Sequence, residues 1–272
     1  MAELSVIWLR VAAVLYSIGL AHAIVVLVRR REGLFRWALA AARIGALLHI
    51  VSVIEEGLLT GHFPVTNFYQ SMSLCALLIV AGYLVAHARY NLATVSVVLF
   101  PMVFVMTLVA SMARPVAPWS NPAMRSAWLT THVVLVLIGY AALLLTTVGA
   151  VLYLFQEEEL KRKKPRAPYY RLPPLGTLDE LIWRSMATGF LFITLGVITG
   201  STWAFIELGT QWIADPRIGA SFLTWGICLA MVFLRLAAGW RGSRTAILAI
   251  TALGGSAVTW VAHSSLRGVL GQ

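Results

Sequence analysis

The sequence predicts an all-α, polytopic integral membrane protein with about eight transmembrane helices, and three observations carry that prediction. Apolar residues make up 60% of the 272-residue chain and charged residues only 12%, a balance far from the soluble range and suited to a bilayer solvent. The apolar residues gather in runs at or near the roughly 20 that a helix needs to cross the hydrocarbon core. Basic residues collect in alternate connections between those runs, the pattern that sets membrane orientation. Helices follow because in lipid each span must satisfy its own backbone hydrogen bonds.

The runs cover residues 5 to 28, 37 to 58, 66 to 86, 92 to 112, 128 to 155, 183 to 206, 219 to 237 and 245 to 266. The first reads as a retained span, since Met-Ala-Glu-Leu offers no basic leader and the apolar stretch runs into Arg29, Arg30 and Arg31. The second carries His49 and ends in Glu55 and Glu56, ahead of "GHFPVTN". Cys75 falls in the third run and Cys228 in the seventh, so they read as small buried residues and not as a disulfide or a redox pair. The fifth run continues as a Glu-Lys helix until Pro165 stops it. Thr177 and Glu180 have the spacing of a capping box opening the sixth. Residues 157 to 182 thus form a basic linker inside one membrane domain, 1 to 272, with no internal repeat.

Orientation follows from charge. Arg29 to Arg31 with Arg36, Arg89, the cluster from Lys161 to Arg171 with Arg184, and Arg241 with Arg244 occupy alternate connections; the others hold only Arg114, Arg125 and Arg217, with Arg267 near the end. The positive-inside rule places both termini outside the cytoplasm. The net charge of +10 then reflects topology and attraction to anionic membrane lipid, and no nucleic acid is expected. Inverted repeats and broken midplane helices, the marks of a solute transporter, are not visible.

Of the six histidines, His132 lies about one turn into the outer end of the fifth run and His263 about one turn from the outer end of the eighth. Two neutral imidazoles at one depth are what a six-coordinate haem iron accepts as axial ligands; each could equally be an interfacial histidine at its own helix end. Arg125, Trp128 and His132 share one helix face, as do Trp260, His263 and Arg267. Each stripe offers an imidazole for iron, an indole to lie against a porphyrin and a guanidinium for a propionate. Trp and Arg also concentrate at membrane interfaces whatever the function. Between the sixth and seventh runs, Trp203, Trp212, Asp215, Pro216 and Arg217 make an aromatic, charged turn, either a platform for a planar ligand or an aromatic belt. His49, deep in its span, is a further ligand candidate because intramembrane ionisable groups are costly. His62 and His87, at loop edges, read as solvated.

Several ordered segments carry a resemblance: "GHFPVTNFYQSMS", "THVVLVLIGYAALLLTTVGAVLYLFQEEELK", "RLPPLGTLDELIWRSMATGFLFITLGVITGSTWA", "WIADPRIGASFLTW" and "GWRGSRTAILAITALGG". From about His49 to Gly255 the chain resembles the CcsA-type cytochrome c assembly proteins, including their HemX-like branch. The resemblance implies an eight-span haem-handling protein of the bacterial inner membrane that presents haem b at its external face to apocytochrome c, working with a membrane-bound assembly partner. On that reading it is at most the membrane subunit of a haem-ligating system. The family's tryptophan-rich external segment maps onto Trp203, Gly209, Trp212, Asp215, Pro216 and Trp225, and its preceding external histidine onto His132.

The chain also departs from that pattern. Leu208, Gln211, Ala214, Arg217 and Ile218 stand in the tryptophan-rich segment where the family usually has further aromatics and an acidic end, and Phe233 stands where it has a histidine in the seventh span. The second external histidine has no counterpart in "RGVLGQ", and His263 lies earlier in the eighth run. Those losses imply an alternative: a HemX-like, non-catalytic accessory or regulatory membrane protein of haem biosynthesis with a degenerate haem site.

Overall fold

The computed structural model describes residues 2–29, 33, 35–112, 127–162, 172–208 and 216–255, and every regular element among them is helical. The helices are α1 (Ala2–Arg29), α2 (Phe35–Thr60), α3 (Phe68–Tyr90), α4 (Val95–Ser111), α5 (Ala127–Lys161), α6 (Leu175–Leu208), α7 (Pro216–Ala237) and α8 (243–255). All but α4 and α8 are long and apolar enough to cross a membrane, which makes this a multi-pass membrane protein. The shorter α4 carries Pro101 in its interior.

The helix ends follow local chemistry. Asn67 caps α3, its side chain accepting the backbone N–H of Gln70 at 2.9 Å, while Gln70 reaches back to accept the N–H of Thr66 at 2.9 Å. Asn91 closes the same helix with φ 51, a left-handed cap that suits asparagine, and returns its N–H to the His87 carbonyl. As expected, α5 runs on through the Glu-Lys segment, laced by ion pairs between Lys161 and Glu157 and between Arg162 and Glu158. The capping expectation at Thr177 is corrected. Helix α6 begins at Leu175, and the N–H groups of Thr177 and Leu178 bond the Pro174 carbonyl, because a proline before the helix already supplies a suitable φ and an acceptor.

Contacts gather the chain into two compact units, one holding α1 to α4 and the other the bulk of α5 with α6 to α8. In the first, α1 packs on α2 and α4 while α3 packs on α2 and α4, which closes a four-helix ring. Its centre is polar: His49 bridges the Tyr16 hydroxyl at 3.3 Å and the Ser73 hydroxyl at 2.9 Å, tying three helices together from a fully buried position. Gly45 makes room, since a Cβ there would lie 2.8 Å from the Tyr16 ring. The solvated reading of His87 is also corrected. It is buried against Phe35, with ring centroids 5.1 Å apart, because the α2 entry folds over the end of α3.

The second unit is built on an antiparallel seam between α5 and α6. His132 meets Gly200, Val136 meets Gly196, Gly139 meets Ile193, Leu143 meets Gly189, Thr146 meets Ser185 and Gly149 meets Ile182. Steps of three and four residues along both helices are those of ridges packed into grooves at a shallow angle. Glycine recurs because lipid gives helices no hydrophobic reason to associate, so attraction depends on close backbone approach. Thr147 adds a bond to the Ala249 carbonyl of α8, and Cys228 and Met231 of α7 complete the core. Both cysteines are free thiols. Gly139→Ala places a Cβ 2.6 Å from Ile193 Cγ1 and is expected to destabilise the unit by about 1 to 3 kcal/mol. Gly176→Ala, with nothing within 4 Å, leaves the melting temperature in detergent unchanged.

At the end of this unit away from His132, Asp179 of α6 and Arg235 of α7 form a two-pronged ion pair with N–O distances of 2.9 and 2.7 Å. The Gly242 N–H also donates to Asp179 at 3.2 Å, and Arg235 donates to the Trp240 carbonyl and lies over the Trp183 ring. The turn before α8 uses Gly239 and Gly242 at φ 63 and 71, conformations costly for other residues.

Candidate functional site

Helix α5 delivers His132 near its first turns, and antiparallel α6 delivers Gly196, Thr199 and Gly200 opposite it. Nδ1 of His132 lies 2.8 Å from the Gly196 carbonyl and 3.3 Å from the Thr199 hydroxyl. A carbonyl only accepts, so the proton sits on Nδ1, which donates, and the lone pair is on Nε2. No described residue hydrogen-bonds Nε2. The ring is half-buried and lies flat enough against α6 that a Cβ on Gly200 would come within 2.5 Å of its Cε1. A held imidazole with a free Nε2 is a donor set that fits haem iron, whose histidine ligands typically hold their second nitrogen on a carbonyl or carboxylate.

Two tryptophans stand one turn beyond this imidazole toward the same end of the antiparallel pair, one on each helix. Trp128 is one turn before His132 on α5 and is exposed, and Trp203 is one turn beyond Gly200 on the α6 face that carries Gly196, and is half-buried. Trp225 of α7 has a packing role instead: its indole N–H donates to Thr194 at 3.0 Å and its ring stacks on Phe190 at 6.4 Å. Arg217 stands in the first turn of α7. Trp212, Asp215, Gly209, Arg125 and His263 lie outside the described residues. Phe233, at the departed histidine position, is exposed on α7.

His49 belongs to the other unit, and both its ring nitrogens have hydroxyl partners. In this arrangement His49 bridges α1, α2 and α3 through both nitrogens. Among the described residues no group of three histidine, cysteine or acidic side chains could hold a metal ion by itself. Sequence reasoning passed over Gly196, Thr199 and Gly200. Their signal was the Gly-x-x-x-Gly spacing inside the sixth run, a close-packing mark that says nothing by itself about which side chain will fill the groove.

The model of the cytochrome c assembly proteins matches residues 65–264, from the entry to α3 through the end of α8. The chain belongs to the cytochrome c assembly protein family. Similar assembly-family members include "Cytochrome c biogenesis protein CcsA" of Prochlorococcus marinus (strain MIT 9515), 31% identical over 222 residues, covering 73% of this chain and 71% of the relative. The protein of the same name from Synechococcus sp. (strain CC9605) is 29% identical over 257 residues, covering 85% and 83%. Among solved structures, "Cytochrome c Heme Lyase CcmF" matches with a TM-score of 0.67 at 20% identity, over 94% of this chain and 46% of that one. This assembly-family chain therefore shares its fold with slightly under half of that lyase.

Proposed function

We propose that the protein handles haem in cytochrome c maturation, holding it at the His132 end of the second unit for transfer to apocytochrome c. The observation that carries this reading is the imidazole of His132, fixed through Nδ1 with Nε2 open, in a chain of the cytochrome c assembly family. His132 would bind the iron. Trp203 and Trp128, each one turn beyond the layer of His132 and Gly200 toward the same end of the α5–α6 pair, offer flat apolar faces to a porphyrin, with Trp212, Asp215, Arg125 and Arg217 contributing from the neighbouring segments. His263 would serve as a second axial ligand. Haem b, the cargo, supplies the vinyl groups that take up the acceptor's thiols; this chain orients it and shields the iron.

The relatives carry the biogenesis name, which supports the assembly role over a regulatory one. We place the chain in the bacterial inner membrane with both termini outside, on the alternation of basic connections. A membrane-bound assembly subunit and an apocytochrome c are the partners this role requires.

The test is a pyridine-haem assay and a reduced-minus-oxidised spectrum of detergent-purified wild-type chain. Near-stoichiometric haem with a low-spin, two-nitrogen signature is expected. A chain that takes up no haem even after reconstitution under reducing conditions would overturn the proposal.

A further inference from the structure

The α5–α6 seam has six layers, and five of them place aliphatic, hydroxyl or glycine groups together; the sixth places an imidazole against a glycine. Gly200 makes room for that ring, and the turn before it supplies a hydrogen-bond partner. Gly200 leaves Cε1 a gap that a Cβ would enter to 2.5 Å, and the same Cβ would stand 2.9 Å from Nδ1 and 3.3 Å from Nε2. Gly196 supplies the carbonyl that takes the Nδ1 proton. Val136, one turn along α5, fills the space over Gly196, so a larger residue there would clash at 2.7 Å. Thr199 turns its own hydroxyl proton toward the Leu195 and Gly196 carbonyls, at 2.9 and 3.1 Å, which leaves its oxygen lone pair to face Nδ1 as a second acceptor. The Gly196 carbonyl, the nearer neighbour of Nδ1 at 2.8 Å, can only accept, and the hydroxyl so turned accepts as well.

We propose that the Gly196-Thr199-Gly200 turn of α6 is a positioning element that selects the Nδ1-protonated tautomer of His132 and fixes its ring plane, making Nε2 the ligating atom. The three residues touch no haem; they act through the imidazole. A histidine free to rotate about its side-chain bonds offers either nitrogen in any plane, and each wrong orientation lowers the fraction able to bind. The carbonyl bond also raises the electron density at Nε2 and so strengthens it as a donor. The turn thereby does two jobs: it is a tight packing point between α5 and α6 and the support of a ligand.

This inference rests on the haem-ligand reading for its purpose but not for its first test. Selective 15N-histidine NMR of the haem-free chain in detergent, with His132→Gln to assign the signals, reads the tautomer directly. The expected result is a single Nδ1-protonated His132 in the wild type and a mixture of tautomers in Gly200→Ala. An Nε2-protonated or already mixed wild-type ring overturns the inference whether or not the chain binds haem.

The second test is haem titration of Gly200→Ala beside Gly139→Ala, which clashes comparably in the same seam but touches no histidine. Gly200→Ala is expected to weaken haem binding by roughly 10- to 100-fold, the usual consequence of disturbing a ligand's support, with added imidazole restoring the low-spin spectrum. Gly139→Ala is expected to bind haem like the wild type after correction for the folded fraction. Equal loss in the two variants would show that packing alone is at work and would sink the proposal. Wild-type failure to bind haem, with the tautomer as expected, would count against the ligand reading and leave the positioning of the ring standing.

Discussion

His132→Ala is expected to strip haem from the purified chain and to stop maturation of a reporter c-type cytochrome in cells that depend on this protein. The effect exceeds the roughly 10- to 100-fold loss that follows when only a ligand's supporting partner is removed, because the donor atom itself is gone. The variant should nonetheless fold. Alanine leaves a gap beside Gly196 and Gly200 at the end of the seam, while Val136, Gly139 and Leu143 keep their contacts with α6. That gap has the shape of an imidazole and a carbonyl acceptor at one wall, so imidazole added to the buffer should restore part of the low-spin spectrum. Haem content and reduced spectrum equal to wild type would remove His132 from the site altogether.

Asp179→Ala carries the largest expected effect on stability, about 3 kcal/mol, because it leaves the Arg235 guanidinium largely buried without its counter-charge. The cost is local in origin and wide in reach. Asp179 also receives the Gly242 N–H, so its loss frees the turn that leads into α8 as well as the contact between α6 and α7. The check is a thermal or steric-trapping unfolding measurement in detergent. Asp179→Leu combined with Arg235→Met, which removes both charges and keeps apolar volume, should recover most of the loss. If the single and double variants unfold alike, the ion pair is not what holds the turn.

Much of the fold was legible because lipid leaves a chain few options. Each apolar run has its helix, and the Glu-Lys tail of α5 extends it as its charge spacing indicated. The misread places were those where local pattern competed with a neighbour. Thr177 and Glu180 have the spacing of a cap, yet Pro174 starts the helix earlier and Glu180 pairs with Arg184 instead. His87 looked like a loop-edge residue until the start of α2 covered it.

The candidate site divides in the same way. The sequence by itself determined the membrane environment, the helical class and the family, and it singled out His132 as a candidate, since hydropathy, run length and motif order are properties of one strand of residues read in line. Only the tertiary structure decided which nitrogen of His132 is open, that Gly196, Thr199 and Gly200 hold it, that Trp225 is engaged in packing, and that His49 spends both its nitrogens on Tyr16 and Ser73. The physical reason is that hydrogen-bond direction and ring orientation depend on the register between two helices. A chain folding back over sixty residues sets that register through the summed fit of every glycine along the seam, which no single motif encodes.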